Sequence, residues 1–450
     1  MLRQGRSMSP APARSAPDPA APPDPAAAAG RAGRSLLIIT TLDVAGRANN
    51  REHHLVGTLG AGYDRVVVVY RRRGRRTHPW RDLLAPGRTV RQDGRVTWVA
   101  VNPMLNAPEG AAQERLAADP AAGPVRRAVG VAVDALAILR DMASVVALTL
   151  AAARAAPPAR ETACEALGPW AAAAADMLRA TGRLTAYAYV DRDYEPGFMR
   201  SGLRRVWAAA MEARAARRAD LTLCIGERLA ALRSAVPGAR VALSPTGVAA
   251  SAFPARLRER PLPEVIFLGR VAEWSGVEEG MEAVALLRAQ DLPARLLVLG
   301  PAAPAYRALL LARAAGFGLG DAFRWPGEAP HAEAAAALDG AAIGLSVFRP
   351  APLRIYAAPL KLLEYMAAGL PSLALAGSEA GDLVARTGAG LAVAADPAAI
   401  AGGVRALVAD PERYRAMSKA ALATAAAHDW TAVLERERAL LDAMVAERAR

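Results

Sequence analysis

The sequence has few cysteines and no long apolar run, the features that mark secreted, metal-binding or membrane-spanning proteins. Its two cysteines, Cys164 and Cys224, have neither CxxC nor metal-ligand spacing, and so few cysteines favour a reducing compartment. No uncharged apolar run reaches the roughly 18 residues of a transmembrane helix. Residues 1–34 are rich in proline, alanine and arginine and lack the apolar stretch of a signal peptide. We therefore expect a disordered tail over 1–34 and a cytoplasmic protein.

Aromatic residues are scarce, at 5%, and lysine is almost absent, with only Lys361 and Lys419 in a chain of 450 residues. Arginine nevertheless gives the chain a formal net charge of +13, which implies anionic partners such as phosphates, acidic lipid surfaces or nucleic acid. Nucleic acid is the least favoured, because the arginines are not interleaved with aromatic residues on one patch. The length predicts two or three domains.

Short apolar runs alternate with alanine-rich helical stretches along most of the chain. The runs are LLII (36–39), VVVVY (66–70), VTWVAV (96–101), LTAYAYV (184–190), LTLC (221–224), VALS (241–244), VIFL (265–268), LLVL (296–299), AAIGLSV (341–347) and SLALA (372–376). Uninterrupted apolar strands separated by helices predict parallel sheets covered on both faces. Because the series restarts after a proline-rich joint at 253–263, we predict an α/β protein with two doubly wound, Rossmann-like domains that face a central cleft.

The segment PLKLLEYMAAGLP (359–371) predicts a short helix that ends at Gly369. Lys361 lies in its first turn, where the helix dipole disfavours a cation, and Glu364 follows on the same face. A bound pyrophosphate would reverse the local sign, and Glu364 suits the two hydroxyls of a ribose. The alternative is a surface contact between Lys361 and Glu364.

Gly269 and Arg270 come directly after the apolar run VIFL. Glycine permits close approach of the backbone to a ligand, and an arginine can bind two phosphate oxygens at once. The alternative for this pair is an ordinary turn glycine with a surface arginine. Taken with Lys361 and Glu364, the pair favours a nucleotide site.

Candidate catalytic groups follow the run LTAYAYV. Asp191 and Asp193 should project into the cleft, where a carboxylate could take the proton from an acceptor hydroxyl as a general base. The alternative is that the aspartates form an Asx turn or a helix cap.

A weaker candidate is the loop after the first strand, where Gly46, Arg47 and His53 could bind an acceptor or a phosphate. The alternative for His53 is an ordinary helix histidine. The sequence carries no metal-site or nucleophile motif, and we predict neither a metal nor another cofactor.

The helical segment 125–153 is interrupted by Asp134, Arg140 and Asp141 and is flanked by arginines. It could lie on an anionic membrane surface or serve as an internal packing helix, and the sequence leaves both open.

The run PLKLLEYMAAGLP closely resembles the donor-site segment of GT-B glycosyltransferases of the GT4-like group. Similar segments are ARRADLTLCIGERLA (216–230), SPTGVAASAF (244–253), LGR (268–270) and HDWTAVLERERALL (428–441). The resemblance implies that Glu364 binds the donor ribose, that Arg270 and Lys361 bind the diphosphate, and that the last helix returns to the first domain. Some similar enzymes use an aspartate of this kind for inverting transfer.

The chain departs from the pattern of this family in three places. Tyr356 replaces the first glutamate of the E-x7-E pair, and Thr246 replaces an asparagine. The lysine that is usual a few residues after the Gly–Arg pair is missing, and Trp274, Ser275 and Gly276 stand there. With the resemblance we predict a tail (1–34), an acceptor-binding domain (35–252), a nucleotide-sugar-binding domain (253–427) and a returning helix (428–450).

The expected activity is sugar transfer from a nucleoside-diphosphate sugar to an acceptor hydroxyl, on a lipid-linked glycan or an exopolysaccharide precursor, either in the cytoplasm or peripherally on the inner face of the cell membrane. The alternatives are a sugar-nucleotide epimerase of the same fold and a non-catalytic partner subunit. The donor base, the sugar, the acceptor and the stereochemistry stay open.

Overall fold

Two sheets of mainly parallel strands, each covered by helices, organise the chain. The computed structural model describes residues 34–44, 51–72, 87–103, 124–155, 162–199 and 202–449, and all of them belong to a single unit, Gly33–Arg450. The tail predicted for 1–34 thus lies almost entirely outside the described residues. The predicted α/β class with two doubly wound sheets is confirmed.

The first sheet has the strand order β3-β4-β2-β1-β5-β6-β7-β8, and only β3 runs antiparallel to its neighbour. β1 is the topological switch point of this sheet, because it pairs with β2 on one side and with β5 on the other. The elements of this half are β1 (Ser35–Thr40), α1 (Arg51–His54), β2 (Arg65–Arg71), β3 (Gly87–Asp93), β4 (Val96–Asn102), α2 (Pro124–Ala155), β5 (Thr162–Leu167), α3 (Pro169–Ala180), β6 (Ala188–Asp191), α4 (Gly202–Arg218), β7 (Leu221–Cys224), α5 (Glu227–Ser234) and β8 (Val241–Leu243).

The second sheet is parallel throughout, with the order β11-β10-β9-β12-β13-β14. Its switch point is β9, which pairs with β10 on one side and with β12 on the other. The elements that follow the joint are β9 (Glu264–Leu268), α6 (Val277–Arg288), β10 (Arg295–Leu299), α7 (Pro304–Gly316), β11 (Phe323–Gly327), α8 (His331–Ala337), β12 (Ile343–Ser346), α9 (Pro352–Tyr356), α10 (Leu360–Ala367), β13 (Ser372–Leu375), α11 (Glu379–Thr387), β14 (Gly390–Val393), α12 (Pro397–Ala409), α13 (Pro411–Ala427) and α14 (Trp430–Ala449).

Four strands escape the sequence prediction: β3, β5, β11 and β14. The most instructive is β5, of sequence TACEAL, whose residues are all buried although Glu165 interrupts the apolar pattern. A charged residue in the middle of a strand interrupts the apolar run from which a buried strand is predicted. The local sequence does not show the tertiary contacts that allow such a carboxylate to be buried.

The last helix, α14, packs on the first sheet rather than on the second. Its Trp430, Leu434 and Leu441 share one buried cluster with Leu36 and Ile38 of β1. Buried polar contacts secure it, since Arg51 forms an ion pair with Glu437 and also donates to the Ser244 hydroxyl at 2.9 Å. The C-terminal residues therefore complete the core around the first strand.

The first turn of α5 is fastened to α11 of the second half. The Glu379 carboxylate accepts hydrogen bonds from the backbone N–H groups of Glu227 and Arg228, at 3.0 and 2.8 Å. The Arg228 side chain pairs with Asp382 at 2.6 Å, and Arg386 pairs with Glu227 at 2.9 Å. These contacts hold the two sheets with their carboxyl edges toward a common cleft.

Candidate active site

The switch point of the second sheet brings Gly269 and Arg270 to the edge of the cleft. Gly269 follows β9 with a φ of +109°, a conformation that side-chain-bearing residues rarely adopt. A Cβ on the neighbouring Gly300 would lie 1.9 Å from the Gly269 carbonyl oxygen, so glycine allows the two backbones to pack this closely. Arg270 is exposed, and among the described residues its side chain has no hydrogen-bond or ion-pair partner.

Lys361 occupies the first turn of α10, and the helix stops at Gly369, whose φ is +72°. The ammonium lies 3.6 Å from the centroid of the Phe267 ring and 4.9 Å from that of Phe348. A Cβ on Gly269 would lie 3.6 Å from the same Nζ atom, so the two candidate residues are adjacent. The described part of the chain offers this ammonium no hydrogen-bond acceptor and no carboxylate in contact.

Desolvation dominates the electrostatics of Lys361. Burial lowers the pKa of its ammonium well below the ordinary value, Glu364 raises it, and the positive charge of Arg354 lowers it again. Cation–π attraction offsets part of this cost, about 0.5–2 kcal/mol. A cation held on aromatic rings without a counter-ion is a site that an anion would stabilise.

Glu364 follows on the next turn of α10, and its side chain is 14% exposed. Burial raises the pKa of its carboxyl, whereas His331 lowers it. His331, at the start of α8, places its Nε2 atom 3.5 Å from Oε1 of Glu364, and its ring meets Phe253 edge-on at 5.5 Å. The sequence analysis passed over His331, and the local sequence gave no signal for this long-range contact.

A second residue that the sequence analysis missed is Arg354 of α9. Its Cζ atom lies 3.8 Å from the ring centroid of Trp274, and the Phe348 ring is 5.4 Å away. One sequence signal could have indicated it: Arg354 lies in the connection that follows the carboxyl end of β12.

The structure separates the two aspartates that follow β6. Asp191 is 1% exposed, and both its carboxylate oxygens are occupied, by the Arg233 guanidinium at 2.6 Å and by the Tyr189 hydroxyl at 2.8 Å. Asp193 is half-buried, and no hydrogen bond or ion pair joins its carboxylate to another described residue. Burial raises the pKa of Asp193, Arg192 and Arg354 lower it, and Asp191 raises it.

The loop that carries Asp193 meets α9 of the second half. The Tyr194 and Tyr356 rings lie 4.8 Å apart, and a Cβ on Gly197 would come within 2.8 Å of the Leu353 backbone nitrogen. The charge of Arg354 lowers the pKa values of both Asp193 and Lys361.

Of the weaker acceptor-loop candidates, the structure describes only His53. Gly46 and Arg47 lie outside the described residues, and the exposed His53 has its ring 6.3 Å from that of Trp98 on β4. Within the described ranges, no cluster of three or more His, Cys, Asp or Glu side chains could hold a metal ion, and no helix is long and apolar enough to cross a membrane.

Comparison with known proteins agrees with this architecture. Residues 262–410 match the model of the family described as Glycosyl transferases group 1. No curated protein matches the chain.

Several solved structures share the fold over nearly the whole chain. Sucrose-phosphate synthase from Thermosynechococcus elongatus aligns at 18% identity and a TM-score of 0.64, covering 92% of this chain and 100% of that one. Anabaena HepE in complex with UDP aligns at 14% identity and 0.63, covering 91% and 100%. A UDP-forming α,α-trehalose-phosphate synthase from Burkholderia xenovorans, in complex with glucose-6-phosphate, aligns at 13% and 0.62, covering 91% and 100%.

The fold is therefore GT-B, and residues 262–410 form a glycosyltransferase group 1 domain within it. The predicted enzyme class, a glycosyltransferase, is confirmed.

Proposed function

We propose that this glycosyltransferase transfers a sugar from a UDP-sugar to the hydroxyl of a lipid-linked glycan or exopolysaccharide precursor. The observation that carries the proposal is the Lys361 ammonium, half-buried on aromatic rings beside Gly269 and without an anionic contact among the described side chains. Arg270 adds a second cation at the same switch point, where doubly wound sheets bind their ligands. UDP is chosen because it is present in the structure of the similar Anabaena protein.

The donor is bound by separate groups in this proposal. Lys361 and Arg270 bind the diphosphate, and Glu364 accepts hydrogen bonds from the two ribose hydroxyls. Fixed positive charges at the diphosphate stabilise the charge that develops on the leaving group, so the transfer proceeds without a divalent cation. The domain boundaries at 252/253 and 427/428 belong to the same proposal.

Asp193 is the general base of the proposed reaction. The acceptor oxygen attacks the anomeric carbon, the bond to the diphosphate breaks with its electron pair on the phosphate oxygen, and the hydroxyl proton passes to Asp193. Its carboxylate is half-buried and has no partner in the described structure, whereas both Asp191 oxygens are occupied. This assignment makes the transfer inverting.

The acceptor is assigned to a membrane because of the outward face of α2. Six large apolar side chains on that face are between 48% and 58% exposed: Val131, Leu136, Leu139, Met142, Val146 and Leu150. The acidic residues Asp134 and Asp141 of the same helix are 9% and 5% exposed, so the outward face carries no described carboxylate. With the exposed Arg154 at its end, this face suits the surface of an anionic bilayer.

A neighbouring helix extends the surface. Arg204 of α4 lies 3.8 Å from Asp141 of α2, so α4, which exposes Leu203 and Val206, packs beside α2. Vesicles that contain phosphatidylglycerol should therefore sediment the protein, and vesicles of phosphatidylcholine alone should not. The double variant Leu139→Glu, Val146→Glu should lose this binding, while Leu309→Glu, at a residue of the second half that is 52% exposed, should keep it. Equal binding by both variants, or a dimer without vesicle binding, would refute the membrane contact.

Thermal unfolding with different nucleotides tests the donor site. A ligand at a hundred times its dissociation constant stabilises the folded state by about 2.7 kcal/mol, so UDP should raise the melting temperature while ADP and GDP should not. UDP release from UDP-sugars should then require a membrane extract as the source of acceptor. The donor proposal fails if no nucleotide stabilises the protein. Free epimerised sugar would indicate the epimerase, and binding without turnover would indicate a non-catalytic subunit.

A further inference from the structure

Arg354 holds a guanidinium in the cleft without a carboxylate in contact. Its side chain stacks on Trp274, and over the described ranges it makes no hydrogen bond or ion pair. Arg349, earlier in the same connection, contrasts with it, because its guanidinium pairs with Glu278 at 2.6 Å and also with Glu279. Arg349 is thus paired with carboxylates of the protein itself, whereas the guanidinium of Arg354 has no such partner among the described residues.

The position of Arg354 links it to the diphosphate site. Both cations lie near the Phe348 ring, whose centroid is 5.4 Å from Cζ of Arg354 and 4.9 Å from Nζ of Lys361. Like charges near one ring repel each other, so an anion bound to both would lower the energy of the pair. Burial lowers the pKa of Arg354, and the charge of Asp193, the group that receives the acceptor proton in the proposed reaction, raises it.

Stacking prepares this guanidinium for phosphate recognition. An arginine whose plane lies on an indole keeps the N–H groups at its edge free, and those groups match two phosphate oxygens at once. Because one face is already fixed by Trp274, less side-chain freedom is lost when the phosphate binds. Trp274 thus positions a cation that α9 supplies.

We infer that Arg354 is a catalytic residue that binds the β-phosphate of the donor, with Trp274 as its positioning residue. This inference rests on the proposed function. The β-phosphate is the group on which negative charge grows as the sugar–oxygen bond breaks, and a guanidinium fixed there stabilises that charge without a change of its own position.

Calorimetric titration with UDP and UMP tests the assignment, because only UDP carries the β-phosphate. Arg354→Gln should weaken UDP binding by roughly 10- to 150-fold, the factor of a hydrogen bond to a charged group, and leave UMP binding unchanged. Trp274→Leu should weaken UDP binding in the same direction and by less. The matched control, Arg349→Gln, should keep the ratio of UDP to UMP affinity of the unmodified protein.

The outcomes separate this inference from the function on which it rests. If the unmodified protein binds UDP and Arg354→Gln keeps the same UDP-to-UMP ratio, the inference is overturned and the donor site stands. If the variant changes only the Michaelis constant of the acceptor, Arg354 binds an anionic group of the acceptor instead, which also overturns it. A merely structural arginine would lower the melting temperature and leave the ratio unaltered. Failure of the unmodified protein to bind UDP would remove the proposed function itself.

Discussion

Replacing Lys361 by methionine should move stability and ligand affinity in opposite directions. The ammonium lies 3.6 Å from the Phe267 centroid, has no carboxylate in contact among the described residues, and has a pKa that burial lowers well below the ordinary value. Methionine keeps the apolar stem on the aromatic rings and removes the desolvated charge. The cost of desolvating an ammonium is several kcal/mol and the cation–π attraction returns about 0.5–2 kcal/mol, so the ligand-free variant should be more stable by about 1–3 kcal/mol.

The same change should weaken UDP binding, because the diphosphate loses a charged hydrogen-bond donor. Such a bond contributes about 1.5–3 kcal/mol, which corresponds to about a 10- to 150-fold increase in the dissociation constant. Urea denaturation without ligand and calorimetric titration with UDP measure the two effects. The matched control is Lys419→Met, which removes the other lysine of the chain from an exposed position on α13 and should change neither quantity.

The pH dependence gives a third reading of Lys361. Since the folded-state pKa is lower than that of the unfolded chain, near 10.5, the unfolded state binds more protons between these values. The stability of the ligand-free protein should therefore rise with pH through this window, and Lys361→Met should remove that part of the rise. Normal UDP affinity of the variant, or a loss of stability, would refute the assignment of Lys361 to the diphosphate.

Three further predictions follow from buried or half-buried charges. Asp193→Asn should lower turnover by about 10²–10⁴-fold and keep donor affinity, and the unmodified enzyme should invert the anomer; a retained anomer, together with full activity of Asp193→Asn, would refute the general base. Asp191→Asn should chiefly lower stability in urea denaturation, because the Asp191 carboxylate pairs with a buried guanidinium. Burial, and then the charge of Asp193, raises the pKa of Glu195 from 4.5 to about 8. Between these pH values the folded protein holds a proton that the unfolded chain has lost, so stability should fall as the pH rises. Glu195→Gln should make the measured unfolding free energy fall less steeply with pH, and an unchanged slope would contradict the raised pKa. Arg258 donates hydrogen bonds to backbone carbonyls beside α10, so Arg258→Met should lower the free energy of unfolding by about 3–5 kcal/mol. The control Arg256→Met, at a side chain that is 59% exposed, should change the free energy of unfolding by no more than about 0.5 kcal/mol. Equal effects of the two variants would show that the buried hydrogen bonds do not stabilise the fold.

Four strands of the second sheet, β9, β10, β12 and β13, were predictable because their signals are local, whereas β11 and β14 were not predicted. The runs at 265–268, 296–299 and 372–376 are short, apolar and separated by helices, and the structure has β9, β10 and β13 at those places. Lys361 and Glu364 were found for the same reason, since helical spacing alone puts them on one face. Features that depend on the residue pattern within one helix or strand can be predicted from the sequence.

The residues that the sequence analysis missed depend on contacts between distant segments. Arg354 gains its meaning from Trp274, and His331 from Glu364, and no local pattern joins either pair. The prediction that Asp191 projects into the cleft overlooked the alternation of side chains along a strand. Asp191 lies on the same face of β6 as the buried Tyr189, which directs it to Arg233 inside the first half, and only the residues beyond the strand are free of that constraint.

The return of α14 to the first sheet has a consequence for how the protein is made. Arg34 and Asp442 form an ion pair across 408 positions of the sequence, and Arg51 meets Glu437 across 386. During translation the first sheet emerges early, but its core lacks Trp430, Leu434 and Leu441 until these residues have been synthesised. The second sheet, which is begun later, has all its strands and most of its helices before then. We therefore expect the half that is synthesised first to finish folding last. Until α14 has packed on the first sheet, the apolar surface that it covers is exposed, and we expect chaperones to bind it.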